Sequence, residues 1–229
     1  MIFLIPTFLS ENAIETIPAY VLSAIKNCSV IFAENERTAR RFLKAMDKEI
    51  IIDNFEWFTI HKTEQDHLKI FINKIKEGKN IAIMSEAGCP GIADPGQVLV
   101  DQAQKMNIEV KPLVGPSSIL LALMASGFNG QHFIFLGYLP IDNAERIKKI
   151  KQIEEESLKK KCTQLFIETP YRNNKMLETL LQHCHPSSHL CIAAEITGIN
   201  EYIKSKTIAE WKKETIDLHK KPVIFLLMA

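Results

Sequence analysis

Ile81-Ala82-Ile83-Met84-Ser85-Glu86-Ala87-Gly88-Cys89-Pro90-Gly91-Ile92-Ala93-Asp94-Pro95-Gly96 is the stretch that decides the fold of this 229-residue chain. Its first four residues form a short apolar run, the pattern of a fully buried strand. After Gly96, the apolar positions Val98, Leu99, Ala103 and Met106 recur at helical spacing. Three glycines and two prolines lie between strand and helix, so the link is a shaped loop at the carboxyl end of a strand. In open α/β sheets ligands bind at that end. A helix opening near Gly96 also turns unpaired N–H groups toward such a crevice. Gly88 stands two residues before Pro90, whose ring restricts Cys89 to extended backbone. Gly88 is therefore expected to supply a positive φ or the bare backbone that lets a ligand approach.

Upstream, the same alternation repeats. Ile2 to Ile5 reads as a strand that runs into the loop Pro6 to Asn12, and a helix is expected from Thr16, with Pro18 in its first turn, to Lys26. Val30 to Ala33 is a second strand, followed by Glu34-Asn35-Glu36-Arg37 and a helix through Met46. A third strand is expected at Ile50 to Ile52 and a helix from Glu64 to Glu77. Strands alternating with helices argue for a parallel sheet covered on both faces. Downstream, Ile108 to Leu113 is a strand ending in Val114-Gly115-Pro116-Ser117-Ser118. The helix that follows is capped by Ser117 or Ser118, stops at Gly127, and is apolar almost all round, which predicts burial between layers.

Beyond that helix the pattern changes. Phe133 to Gly137, Thr163 to Glu168, His189 to Glu195, Glu201 to Lys206 and Val223 to Met228 read as strands, and Thr197-Gly198-Ile199-Asn200 as a hairpin turn. The expected architecture is two α/β domains: residues 1–114 with a mainly parallel sheet and residues 115–229 with a mixed one.

An apolar fraction of 46% and a charged fraction of 24% are those of an ordinary globular protein. With 28 basic against 27 acidic residues the net charge is +1, so no whole-molecule field draws the chain to nucleic acid or an anionic membrane. The densest basic run, Arg146 to Lys161, is interrupted by Glu154, Glu155 and Glu156; it reads either as a solvated helix face or as an RNA-facing strip. Five scattered cysteines fit reduced thiols in a cytoplasm. His183-Cys184-His185, with His189 and Cys191 nearby, matches no common zinc spacing, so no metal site is expected. The apolar start Met1 to Leu9 has no basic leader and is broken by Pro6, and no run reaches membrane-spanning length. The chain has no G-x-G-x-x-G after its first strand, no phosphate-loop lysine motif and no G-x-S-x-G elbow.

Seven segments carry a resemblance. They are Ile5-Pro6-Thr7, Ala33-Glu34-Asn35-Glu36-Arg37-Thr38, the Ser85 to Gly96 loop, Gly115-Pro116-Ser117-Ser118, Phe135-Leu136-Gly137-Tyr138-Leu139-Pro140, Glu168-Thr169-Pro170-Tyr171-Arg172 and Ala194-Glu195-Ile196-Thr197. In that order they resemble the tetrapyrrole-methylase superfamily. Within it the chain looks most like the ribosomal RNA small-subunit methyltransferase I family, which methylates a cytidine ribose 2′-oxygen. The resemblance covers nearly the whole chain. It implies an S-adenosylmethionine-dependent methyltransferase of two α/β domains, with the cofactor in the cleft between them. It also implies a cytoplasmic homodimer and, as partner, ribosomal RNA or the small ribosomal subunit.

Carried over by position, the resemblance implies cofactor contacts at Pro6, Glu86, Gly88, Pro90, Ile92, Ala93, Ser117, Ser118, Glu168 and Ile196. A ribose hydroxyl needs its proton removed as it attacks, so a strand-end carboxylate is expected to serve as general base, with Glu34, Glu168 and Glu195 as unranked candidates. The chain departs from the family pattern at three points. Phe8-Leu9-Ser10-Glu11-Asn12 replaces a glycine and an asparagine after Pro-Thr, Glu86 stands where Asp is usual, and Ala229 falls before the family's carboxyl-terminal extension. Cofactor binding is expected to survive these differences; the substrate assignment is what they bear on. Alternative readings are methylation of a small molecule such as a tetrapyrrole, and a relative that binds the cofactor without turnover.

Overall fold

The computed structural model describes residues 1–11, 13–60 and 65–229, so Asn12 and Glu64, which bounded an expected loop and helix, lie outside the described residues. The chain divides into two compact units, Met1–Ser117 and Ser118–Ala229.

The first unit runs β1 (Ile2–Ile5), α1 (Tyr20–Lys26), β2 (Val30–Ala33), α2 (Glu36–Met46), β3 (Glu56–Thr59), α3 (Gln65–Lys76), β4 (Ile81–Met84), α4 (Gln97–Lys105) and β5 (Val110–Pro112). All pairings are parallel, in the order β3-β2-β4-β1-β5. Every residue of β2 and β4 is buried, which is why these strands read as unbroken apolar runs. Strand alternation then sorts the core into two layers. Phe3, Ile5, Ile31, Ala33, Ala82 and Met84 face Val21 and Ile25 of α1 and Phe42 and Leu43 of α2. Ile2, Val30, Phe32, Ile81 and Ile83 face Phe71 and Ile75 of α3 and Leu99 and Ala103 of α4. The loops leaving β1 and β2 thus pass to one face and the loop leaving β4, which lies between those strands, passes to the other. That arrangement is a topological switch point, where open α/β sheets place their ligand crevice.

Three local expectations are corrected. Thr16 lies in a single 3-10 turn, Ile14–Thr16, its hydroxyl donating to the Ala13 carbonyl at 2.6 Å, and the helix starts only at Tyr20. The third strand is not Ile50 to Ile52. Lys44 Nζ donates to the carbonyls of Lys48 and Ile50, and Ile52–Asn54 forms another 3-10 turn. The strand is the aromatic segment Glu56–Thr59, where Phe58 stacks on Phe32 at 5.0 Å. Gly115, Pro116 and Ser117, expected to open the second domain, belong to the first unit, because Gly115 packs on Pro6 and the Cys89 thiol reaches the Pro116 carbonyl at 3.5 Å.

The second unit comprises α5 (Ser118–Ser126), β6 (Phe133–Tyr138), α6 (Asn143–Lys160), β7 (Thr163–Ile167), α7 (Asn173–His183), β8 (His189–Ala194), β9 (Tyr202–Thr207), α8 (Ile208–Trp211) and β10 (Val223–Met228). Its sheet order is β6-β7-β10-β8-β9, with β6 and β7 parallel and the other neighbours antiparallel. Phe166, Ile192, Phe225 and Leu227 form a core with Ile150 and Ile153 of α6 and Leu177 and Leu180 of α7. Helix α5 packs against β8, β9 and β10. Its expected full burial is not found: Ile119, Ala122 and Leu123 are buried, but Leu120 and Met124 are 51% and 78% exposed. On α6, Arg146 is buried, its guanidinium donating to Ile141 O and Asn143 Oδ1, while Lys159 and Lys160 pair with Glu155 and Glu156.

Candidate functional site

The β4–α4 loop is held by its own polar atoms and by two neighbouring loops. Buried Ser85 donates its hydroxyl to the Gly88 carbonyl at 3.1 Å, and Thr7 and Gly88 exchange backbone hydrogen bonds of 2.9 and 3.2 Å. Gly88 adopts φ +79, as expected of a residue that must turn the chain directly after a strand. Past it, Pro90 is buried, whereas Ile92 is 54% exposed and Ala93 is exposed at φ +63. Gly96 precedes α4 at φ +113 and no side chain caps the helix, so its first N–H groups are left to the crevice.

Carboxylates gather at the same strand ends. Glu34, one residue past β2, accepts the Glu86 backbone N–H on Oε2 at 2.9 Å, and Glu86 Oε1 accepts from Asn35 Nδ2 at 3.0 Å. Asn35 in turn caps α2 through Oδ1, so helix, strand end and loop are joined by one amide. Burial, reinforced by the charges of Glu34 and Glu86, pushes Asp94 up to about 7. Asp94 has no role legible in the sequence, because its environment depends on burial and on Glu34, sixty residues away.

This shift has a consequence for stability. Asp94 binds its proton more tightly in the folded than in the unfolded chain, where a carboxyl of its kind titrates near 3.8. Below about pH 4 both states are protonated and stability is undiminished; as pH rises toward 7 the unfolded chain is favoured by releasing its proton first. Asp94→Asn is therefore expected to melt above the parent at pH 8 and close to it at pH 4. Equal shifts at both pH values would count against a buried, proton-retaining Asp94.

In the second unit, buried Glu168 accepts on Oε1 from the Thr169 N–H at 2.6 Å and from Arg172 Nε and Nη2 at 3.0 and 2.6 Å. Glu195 lies in the β8–β9 turn, with Oε2 3.6 Å from Lys221 Nζ. Both Glu195 and Thr197 have positive φ, +52 and +66, a conformation costly for a β-branched residue. Ile196 between them is buried, and the buried Thr197 hydroxyl has no hydrogen-bond partner among the described residues. Ser118 is the first residue of α5. The structure thus gathers Pro6, Glu34, Glu86, Gly88, Pro90, Ile92, Ala93 and Ser117 in the first unit, and Ser118, Glu168, Glu195 and Ile196 in the second. Thr197 and Asp94 are additions that sequence reasoning missed; the Thr197 signal, a β-branched residue before Gly198 in a tight turn, was visible but ambiguous. Cys184 is a core residue and His185 bonds Ser187; among the described residues no group of three or more His, Cys, Asp or Glu is placed to hold a metal ion.

Residues 13–212 match the family of tetrapyrrole (corrin/porphyrin) methylases. The chain belongs to that family. Over its whole length it is 31% identical to the ribosomal RNA small subunit methyltransferase I of Buchnera aphidicola subsp. Schizaphis graminum, spanning 78% of that protein. It is 29% identical, over 99% of its length and 77% of the relative, to the protein of the same name from Escherichia coli O157:H7. Among solved structures, a cobalt precorrin-4 methyltransferase shares its fold at TM-score 0.62 and 11% identity, covering 99% of this chain and 94% of the other. Uroporphyrin-III C-methyltransferase from Thermus thermophilus does so at 0.57 and 14%, covering 99% and 91%. This tetrapyrrole-methylase family protein is a methyltransferase that uses S-adenosylmethionine. Its first unit fits the cofactor's chemistry: Glu34, Glu86 and Asp94 are acceptors suited to an ammonium and ribose hydroxyls, and backbone without bulky side chains lies at Gly88, Gly91 and Ala93.

Proposed function

We propose that this chain methylates a ribose 2′-hydroxyl of small-subunit ribosomal RNA. The observation that carries the reading is the 31% identity, across the whole chain, to a relative named for ribosomal RNA methylation. S-adenosylmethionine supplies a methyl group on a sulfonium, which departs as a neutral thioether when an oxygen lone pair attacks in line. What the chain adds is placement and a proton acceptor. Proximity and alignment alone can lower a barrier by roughly 7 to 11 kcal/mol. We assign cofactor contact to the backbone of Gly88 through Ala93, to Pro6, Glu86, Pro90 and Ser117 in the first unit, and to Ser118, Ile196 and the orphan Thr197 hydroxyl in the second.

The hydroxyl proton goes to the Glu34, Glu86 and Asp94 group. Glu168 suits this task less, since its Oε1 already accepts two guanidinium hydrogen bonds and a backbone N–H, and its role is to fix the Arg172 turn. Glu195 is steered by Lys221. The reading places the enzyme with ribosomes in the cytoplasm; all five cysteines are free thiols, and among the described residues no helix is long and apolar enough to cross a membrane. A homodimer is supported by the open apolar face of α5 at Leu120 and Met124, and sedimentation of a 26.1 kDa monomer alone would remove it.

The test of function is methyl transfer from S-adenosylmethionine to small subunits, and to naked small-subunit RNA, from a strain lacking the gene. The expected product is one ribose-methylated nucleotide located by mass spectrometry. Absence of transfer to both substrates would overturn the reading.

A further inference from the structure

We propose that a cavity of about 490 Å³ beside α2 seats one nucleotide of the acceptor RNA, its base against Phe8 and its phosphate on Arg41. The proposal rests on the ribosomal RNA reading and adds to it the place and chemistry of substrate recognition.

The cavity lies at the carboxyl ends of the first unit's strands, on the sheet face covered by α1 and α2, and its volume is that of a small-ligand site. Phe8, Leu9 and Glu11 form one wall. They belong to the segment in which this chain departs from the family pattern it resembles. The half-buried Phe8 ring is held at 5.4 Å from buried Phe42, tilted by 52°, and offers a fixed aromatic surface of the kind on which bases stack. Glu11 at the rim is an acceptor for an exocyclic base amine.

The facing wall is α2, which contributes Thr38 and Arg41. Arg40 is engaged, paired with Glu36 and lying 5.1 Å from the Trp57 ring centroid. Arg41 and Arg37, four residues apart on the same helix face, are exposed and make no ion pair among the described residues. Two uncommitted guanidinium groups one turn apart match successive phosphates of a nucleic-acid strand. Thr7 and Glu86 complete the cavity, and Glu86 is the residue that Glu34 holds through its backbone N–H. A nucleotide with its base at Phe8 and its phosphate at Arg41 therefore carries its ribose toward the carboxylates assigned to receive the hydroxyl proton.

The test compares calorimetric titrations of the full-length protein with cytidine 5′-monophosphate, uridine 5′-monophosphate and cytidine, alongside the methyl-transfer assay. The expected result is binding of the monophosphate in preference to cytidine and to uridine 5′-monophosphate. In Arg41→Ala, a surface change, affinity for the monophosphate falls about tenfold or more, affinity for cytidine is unchanged, and KM for RNA rises by a similar factor. Phe8→Leu weakens nucleoside and nucleotide alike. Saturating S-adenosylhomocysteine leaves cytidine 5′-monophosphate affinity intact, because Glu86 is the one lining residue of the cavity that is also assigned to the cofactor. No binding of the monophosphate at millimolar concentration, indifference to Arg41→Ala, or competition by S-adenosylhomocysteine would overturn the pocket. Arg41-dependent nucleotide binding without RNA methylation would keep the pocket and remove the ribosomal RNA reading. RNA methylation with an unchanged KM in Arg41→Ala would do the reverse.

Discussion

Replacing Gly88 with valine is expected to weaken S-adenosylmethionine binding by roughly a hundredfold, equivalent to about 2.7 kcal/mol. Gly88 sits at φ +79, where a left-handed conformation costs an ordinary residue about 1 to 2 kcal/mol and a β-branched one more. A Cβ there would lie 3.1 Å from Leu9 Cδ2 and 3.4 Å from the Pro116 carbonyl oxygen. The side chain can yield at Leu9, but relieving φ requires turning the peptide. That movement breaks the backbone pair with Thr7 and the Ser85 hydroxyl bond together. The loop that presents Pro90, Ile92 and Ala93 then loses its fixed shape. Because the loop is tied to Thr7 by a buried backbone bridge, the same variant is expected to lose about 2 kcal/mol of stability. Binding calorimetry and thermal melts of Gly88→Val and Gly88→Ala check both quantities. Parental cofactor affinity in the valine variant would mean that this loop does not line the cofactor site.

Gly115→Ala is expected to have the largest effect on folding. An added Cβ would lie 2.1 Å from Pro6 Cβ and 2.4 Å from Pro6 Cγ, well inside contact distance. A flexible side-chain end could swing away, but Pro6 is a closed ring directly after β1, so the backbone must move. Overpacking of this kind costs about 3 kcal/mol or more. For a unit of this size the melting temperature should fall by roughly 10 °C. Because the close approach joins the loops after β1 and β5, cofactor affinity should fall as well. A melt within a degree or so of the parent, read by differential scanning calorimetry, would contradict the packing of Gly115 on Pro6.

The sequence by itself determined the buried strands and their alternation with helices. Val30–Ala33 and Ile81–Met84 are buried on both faces, so they carry unbroken apolar runs that no other element explains. It also determined family membership, because seven ordered segments spread along the chain constrain the answer more than any one of them. Glu86 and Gly88 are legible as candidate site residues, since strand, breaker cluster and helix follow one another within 25 residues.

What only the tertiary structure decided depends on groups distant in sequence. The strand Glu56–Thr59 lies at a sheet edge and is only partly buried, so its side chains lack the continuous apolar signal of its neighbours, whereas Ile50 to Ile52 has that signal and no strand partner. The apolar circumference of α5 looked like burial, yet Leu120 and Met124 are open. Asp94 acquires its raised proton affinity only when folding buries it, beside Glu34 and Glu86, and Glu168 is committed to Arg172 only once a turn closes between them. Local pattern determines which segments become strands and helices, because hydrophobic period is a property of neighbours in sequence. Burial, ion pairing and protonation are properties of neighbours in space, and the chain places those only by folding.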